Sequence, residues 1–356
     1  MTVTRPQLEQ SGPAASDAER RAALARADRL RAAGREVRVS TVWVRAAWWL
    51  VLACCAAVGV GASVVAVAHP VVGTAIAGGA LLVALLDLTP RAPVRQLTFA
   101  RATENVVALP AARPDERPVV LVLTTAGDLP RAGLARHLPG GVWRWSIGGL
   151  ALVTACCGAR IAGAQGTWIG VLQLLPTLVL LAALLALLDE AIADTDKDTD
   201  DTAVAAVLDA AHLLAADPPR HLDVAVVLAG AGDRRAAGLA AWLRERRRRG
   251  LRPAGAAIVH VESQRGAAPG PIWWERGGLL VGGRLHPQLV TAARAAAADV
   301  PGVGAHPAAG RTTGAAAEAR NARWPAIAVG PGSDGGEPLV TFLVALARRL
   351  DGLVEP

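Results

Sequence analysis

The sequence predicts an α/β fold, a largely parallel mixed sheet with helices on both faces, joined to four transmembrane α-helices arranged as two hairpins. Three observations carry this. Two long apolar stretches each break in the middle on a short polar turn. After residue 202, β-branched apolar runs alternate with longer helical runs, the rhythm of a sheet built from strands and crossover helices. Between the hairpins stands a further run, PVVLVLTT. A strand so uniformly apolar is buried on both faces, so helices encoded after the second hairpin must cover it, and the soluble part is discontinuous.

The hairpins occupy 46–88 and 147–188. In the first, WWLVLACCAAVGVGASVVAVA and VVGTAIAGGALLVALLDL are separated by His69 and Pro70 alone, and Gln165 and Gly166 divide the second. Each arm supplies about 20 predominantly apolar residues, enough to cross a hydrocarbon core of ~30 Å at ~1.5 Å per residue. Leu50, Val51, Ala53, Cys54, Cys55, Ala57, Gly61 and Ala62 recur without gaps as Leu152, Val153, Ala155, Cys156, Cys157, Ala159, Gly163 and Ala164, and the exit ALLD ending at Asp87 recurs at Asp189. This pattern predicts an internal duplication. The cysteines are adjacent pairs within spans. Neighbours on a helix point about 100° apart, which suits packing rather than chelation or a disulfide.

The 356 residues are 53% hydrophobic, with a mean hydropathy of +0.36, a net charge of +7 and a pI near 10.6. That balance suits a membrane protein with a sizeable soluble part. Nine arginines precede the first span, eight lie between the hairpins and the outer turns have none. The positive charge therefore sets orientation rather than marking a nucleic-acid partner, and it places both ends and the middle segment in the cytoplasm, beneath a bacterial inner membrane. Trp43, Trp48 and Trp49 before the first span, and Trp143 and Trp145 before the third, form aromatic belts. No cleavable signal peptide is expected, since a polar stretch precedes the first apolar run. Arg160, near the outer end of the third span, is expected to snorkel. The spans contain no interior acid of the kind that marks a transported substrate.

In order, the expected divisions are 1–45, a basic tail and helix; 46–88, the first hairpin; 91–145, the first part of the α/β domain; 147–188, the second hairpin; and 194–356, the remainder of that domain. Ser16 and Glu19 form a potential capping box opening a helix that Gly34 stops. Its arginine-rich surface reads as solvated or laid against anionic headgroups. RERRRR, residues 244–249, closes a later helix, where cations complement the dipole.

Two motifs are incomplete. Asp194, Asp196, Asp198, Asp200 and Asp201 resemble the start of a calcium loop, but its sixth position is Thr199 rather than glycine and its twelfth is Ala205 rather than glutamate. Gly230-Ala-Gly232 follows a strand, but the third glycine of a dinucleotide fingerprint falls on Arg235.

Read together, TENVVA, VVLVLTTAGD, DDTAVAAVLDAAHLLA, DVAVVLAGAGDRRAAGLAAWL, AAIVHVES and ARWPAIAVG resemble, in order, the segments of the zinc-dependent exopeptidases of the bacterial aminopeptidase and glutamate carboxypeptidase type, clan MH. The resemblance covers residues 98–130 and 198–352. It implies a zinc-exopeptidase-like sheet, but most of the family's ligands are replaced. The HxD pair falls on Ala126 and Asp128, the bridging Asp on Thr199 between Asp198 and Asp200, the general-base Glu on Gly232 and the metal-binding Glu on Asp233. The next ligand falls on His260, with Glu262 two residues on, and the late segment TTGAAAEARNARWPA has no histidine.

A two-zinc centre needs about four to five fixed N or O ligands and a base for its water, and losing the base alone costs ~10² to 10⁴ in rate. The resemblance thus implies a membrane protein whose peptidase-like domain is no longer an enzyme, needs no cofactor, and binds or scaffolds a peptide or membrane-protein partner. The alternative is an active metal-dependent aminopeptidase or hydrolase with a rebuilt site of Asp128, Asp200, Asp233, His260 and Glu262, whose carboxylates would take zinc or, more readily, Mg²⁺ or Mn²⁺. His260 alone equally suits a hydrogen-bonded strand residue.

Overall fold

The computed structural model describes residues 11–89, 92–109, 119–129, 131–164, 166–193, 201–232, 236–278 and 282–354. The chain runs α1 (Asp17–Ala32), β1 (Glu36–Val44), α2 (Trp48–Ala68), α3 (Pro70–Asp87), β2 (Arg101–Leu109), β3 (Val119–Ala126), α4 (Val142–Ile161), α5 (Thr167–Ile192), α6 (Thr202–Ala216) and β4 (Leu222–Ala229). It continues with α7 (Ala237–Arg248), β5 (Ala256–Val261), β6 (Ile272–Trp274), β7 (Arg276–Gly277), β8 (Gly283–Arg284), α8 (Pro287–Asp299), β9 (His306–Pro307), α9 (Ala315–Asn321), β10 (Ala326–Gly330) and α10 (Glu337–Leu353). Two compact units result: Met1–Ala46, Ala100–Pro130 and Lys197–Pro356 form one, and Ala47–Phe99 with Arg131–Asp196 form the other.

The first unit is mixed α/β. Its eight-stranded sheet has the order β1-β2-β4-β3-β5-β10-β6-β9. The central strands β4, β3, β5 and β10 are parallel, paired as Val119↔Leu222, Val120↔Ala256 and Ala326↔Ile258, whereas β2 runs antiparallel to β4 and β6 antiparallel to β10. Leu121, Leu123, Val226, Leu228 and Val259 pack with Leu214, Leu289, Phe342, Leu346 and Leu30 from α6, α8, α10 and α1. Val122, Val227 and Ile258 pack with Trp242, Leu243 and Ala316 from α7 and α9. Alternate residues of the same strands thus enter different cores, as the two-residue period of a strand requires, and the helices cover both faces as the sequence predicted.

Two N-terminal elements go beyond the sequence reading. Residues 36–44 form the edge strand β1, paired antiparallel to β2 from Glu36↔Leu109 to Val44↔Arg101. In EVRVSTVWV, Val37 and Val39 alternate with Glu36 and Arg38 and share one face, and beyond Ser40 and Thr41 the valines at 42 and 44 take the other face. Helix α1 starts at the expected cap, with Glu19 N donating to Ser16 Oγ at 3.1 Å. Its Arg20, Arg21, Arg29 and Arg31 are exposed, as the arginine-rich face was read, but the opposite face is buried through Glu19, Ala22, Ala23, Arg26, Ala27 and Leu30.

The second unit contains four helices long and apolar enough to cross a membrane, α2, α3, α4 and α5, of 21, 18, 20 and 26 residues. Small residues let them approach closely. A Cβ on Gly73 would lie 2.6 Å from Ala66 Cα, and one on Gly59 would lie 2.5 Å from Leu150 Cδ2. Val64, Val67, Val71, Leu174, Leu175 and Leu185 point outward. All four cysteines are free thiols, and the corresponding Cys55 and Cys157 are both buried. The corresponding aspartates are used differently: Asp87 pairs with Arg95 at 2.8 Å, while Asp189 Oδ2 accepts from Leu134 N at 2.8 Å. Arg160 turns inward and donates to Gln173 Oε1 at 2.7 Å, because a buried amide offers it an acceptor.

Candidate functional site

Strands β4, β3, β5 and β10 end at one edge of the sheet, the edge where an open α/β sheet places its ligands. Beyond β3 come Gly127 and Asp128, beyond β4 the turn 230–232, and beyond β5 Glu262. Because β2 is antiparallel to β4, its early residues Thr103 and Asn105 reach the same edge.

The exits of β3 and β4 are bonded to each other. Gly127 N donates to Ala229 O at 2.7 Å and Gly232 N donates to Asp128 Oδ1 at 2.6 Å. This folds the turn down onto Ala126, so that a Cβ on residue 232 would lie 2.8 Å from Ala126 Cα and 3.0 Å from Asp128 Oδ1. Asn105 fastens the other side, accepting from Gly230 N at 3.0 Å and donating to Gly238 O at 2.9 Å. The glycines therefore serve close backbone approach. Ala231, with φ +48, carries the bend between them.

His260 lies within β5, in register with Thr124 of β3 and Ala328 of β10. It is 2% exposed, and burial holds its imidazole below the usual range, opposed in part by the charge of Glu262. Its Nε2 is 3.8 Å from Glu262 Oε2. Among the described residues its Nδ1, like Thr124 Oγ1, has no hydrogen-bond partner. Glu262 Oε1 accepts from Thr312 Oγ1 at 2.6 Å, and that hydroxyl accepts from Gly314 N at 3.1 Å.

A third group comes from α1. Glu19 accepts from Thr103 Oγ1 at 2.5 Å, from Ala15 N at 2.5 Å and from Ala231 N at 3.3 Å. Burial pushes its carboxyl above the ordinary range against the pull of those bonds. Arg26 donates to Gly127 O at 2.7 Å and to Asp201 Oδ1 at 2.8 Å.

Of the five residues singled out in the sequence, His260 and Glu262 are brought together, and Asp128 stands at the end of the adjoining strand, engaged with Gly232. Asp200 and Asp233 lie outside the described residues. Among the described residues, no three His, Cys, Asp or Glu side chains are gathered as a metal ion would need, and the described donors do not form a zinc cage. Glu19, Arg26, Asn105 and Thr312 were missed by sequence reasoning. The alanines at 22, 23 and 27 were the available signal for α1; Asn105 and Thr312 lie in the TENVVA and TTGAAAEARNARWPA segments, where nothing marked these two side chains individually.

No protein-family model matches the chain, and no curated protein matches it. Among solved structures, the chain is similar to a zinc aminopeptidase from Bacillus subtilis at 8% identity and a TM-score of 0.49, over 95% of this chain and 90% of that one. It is also similar to the glutaminyl cyclase of Porphyromonas gingivalis at 13% identity and a TM-score of 0.47, over 96% of this chain and 92% of that one. A leucine aminopeptidase precursor from Bacteroides thetaiotaomicron is similar at 11% identity and a TM-score of 0.45, over 95% of this chain and 89% of that one.

Proposed function

We propose that this is a multi-pass protein of the bacterial inner membrane whose peptidase-like unit lies in the cytoplasm, does not hydrolyse peptides, and acts in binding or scaffolding for a peptide or another membrane protein. The observation that carries the reading is the seating of Gly232 on Ala126. The exopeptidase resemblance calls for a general base and an imidazole at these two positions. Neither side chain is present, and the backbone of one fills the space beside the other. Neither of these two described positions supplies a base for water activation.

Purified full-length protein in detergent, assayed on aminoacyl anilides with added zinc, magnesium or manganese, is expected to show no turnover above the buffer rate. Chelator-sensitive turnover that disappears in Asp233→Ala would instead establish an enzyme. That second reading, an aminopeptidase using Asp128, Asp200, Asp233, His260 and Glu262, draws support from the 3.8 Å approach of His260 to Glu262. Protease protection in spheroplasts tests the orientation: a C-terminal unit cleaved from outside would reverse it.

A further inference from the structure

Helix α1 carries two buried ionisable side chains to the ligand edge of the sheet. Glu19 and Arg26 stand seven positions apart, two helical turns, and so share a face. The buried alanines between them let the helix lie close to the sheet. Arg26 is 1% exposed and Glu19 is 2% exposed. The guanidinium reaches three separated segments: Gly127 O at the exit of β3, Asp201 at the start of α6, and the hydroxyl of Ser11. The carboxylate takes the N–H of Ala231, in the turn after β4, together with the Thr103 hydroxyl.

We propose that α1 is a resident intramolecular ligand of this edge. The Glu19 carboxylate takes the place of an anion at the 230–232 turn, and the Arg26 guanidinium takes the place of a metal cation between the exit of β3 and Asp201. Groups this deeply buried are held only where hydrogen-bond partners meet them: Arg26 has the charged Asp201 together with Gly127 O, and Glu19 has the neutral donors Thr103 Oγ1, Ala231 N and Ala15 N. The unit therefore keeps its fold without a divalent ion, and Asp201 has its counter-charge from within the chain. This holds whether or not the α9 side of the edge, with Glu262 and Thr312, receives a peptide.

The test is thermal unfolding of the full-length protein in detergent with EDTA, ZnCl₂ or MgCl₂, for the wild type, Arg26→Met, Asp201→Asn and the double variant. The wild-type Tm is expected to be unmoved by chelator or metal. Arg26→Met should lower it by roughly 5 to 10 °C, and Asp201→Asn in that background should recover part of the loss, because the carboxylate left without a cation is neutralised. A saturable rise of the wild-type Tm with metal that is lost in Asp201→Asn would overturn the proposal, as would purely additive losses in the double variant. Should Arg26→Met fail to accumulate, Arg26→Lys decides: it keeps the charge without the fork, so a lower Tm supports the proposal and a wild-type Tm overturns it. Peptidase turnover would defeat the non-catalytic reading and leave this one standing, whereas the metal shift, the additive losses or an unmoved Arg26→Lys would defeat this one alone.

Discussion

Gln173 Nε2 donates to the backbone carbonyl of Ser63 at 2.7 Å and to its hydroxyl at 2.8 Å, joining α5 to α2 through a side chain that is 3% exposed. Arg160 of α4 occupies the amide oxygen, and Thr177 lies 2.6 Å from the Ser63 hydroxyl. One buried amide thus ties three apolar helices together, with its donor and acceptor both satisfied. Gln173→Leu is expected to destabilise the second unit by about 1–2 kcal/mol, read by unfolding in mixed detergent. Ser63→Ala should cost less, because the carbonyl acceptor remains.

At the exit of α3, Asp87 is fully buried and Arg95 Nη2 lies 2.8 Å from it. The same nitrogen donates to Trp48 O at 3.3 Å. Removing one partner strands a buried charge, at a cost of ~3–5 kcal/mol. Asp87→Ala and Arg95→Ala should each lower stability by that order, with the Asp87→Leu, Arg95→Met double variant closer to wild type. A double-mutant cycle measures the coupling.

Gly238, in the first turn of α7, packs against the turn after β4. A Cβ there would stand 2.5 Å from Asn105 Oδ1 and 3.1 Å from Gly230 C. Gly238→Ala is therefore expected to break both Asn105 bonds and destabilise by roughly 2 kcal/mol or more. Faster amide exchange at Gly230 would report the loss locally.

His260 makes folding sensitive to acid. Burial holds its folded pKa below the unfolded value of 6.5, so below that pH the unfolded chain binds more protons than the folded one. Its contribution is complete above pH 6.5 and is lost as pH falls from there toward the folded pKa. His260→Leu should flatten the dependence of Tm on pH over this window, while Glu262→Gln, which removes the opposing charge, should steepen it.

Much of the architecture was legible because its signals are local. Hydropathy summed over about twenty residues marks a span wherever it lands, and α2, α3, α4 and α5 lie where the hairpins were read. The alternation from α6 through β4, α7, β5, α8 and β10 to α10 follows from strand and helix periods. The weaker elements escaped: α9 is seven residues long, and β7, β8 and β9 have two each, too short to show a period. Strand β1 shows a two-residue alternation only in two short pieces that shift face at Ser40 and Thr41, and it lay among arginines that read as a basic tail.

By itself, then, the sequence determined the apolar hairpins and the alternation of strands and helices from α6 to α10, since each is a property of a residue and its near neighbours. Only the tertiary structure decided that Arg26 would meet Gly127 and Asp201 across 101 and 175 positions, and that the 230–232 turn would close on Ala126. No local pattern reports which buried charge finds which partner. That choice is made when separate strands end at a common edge and every polar group trapped there must be satisfied.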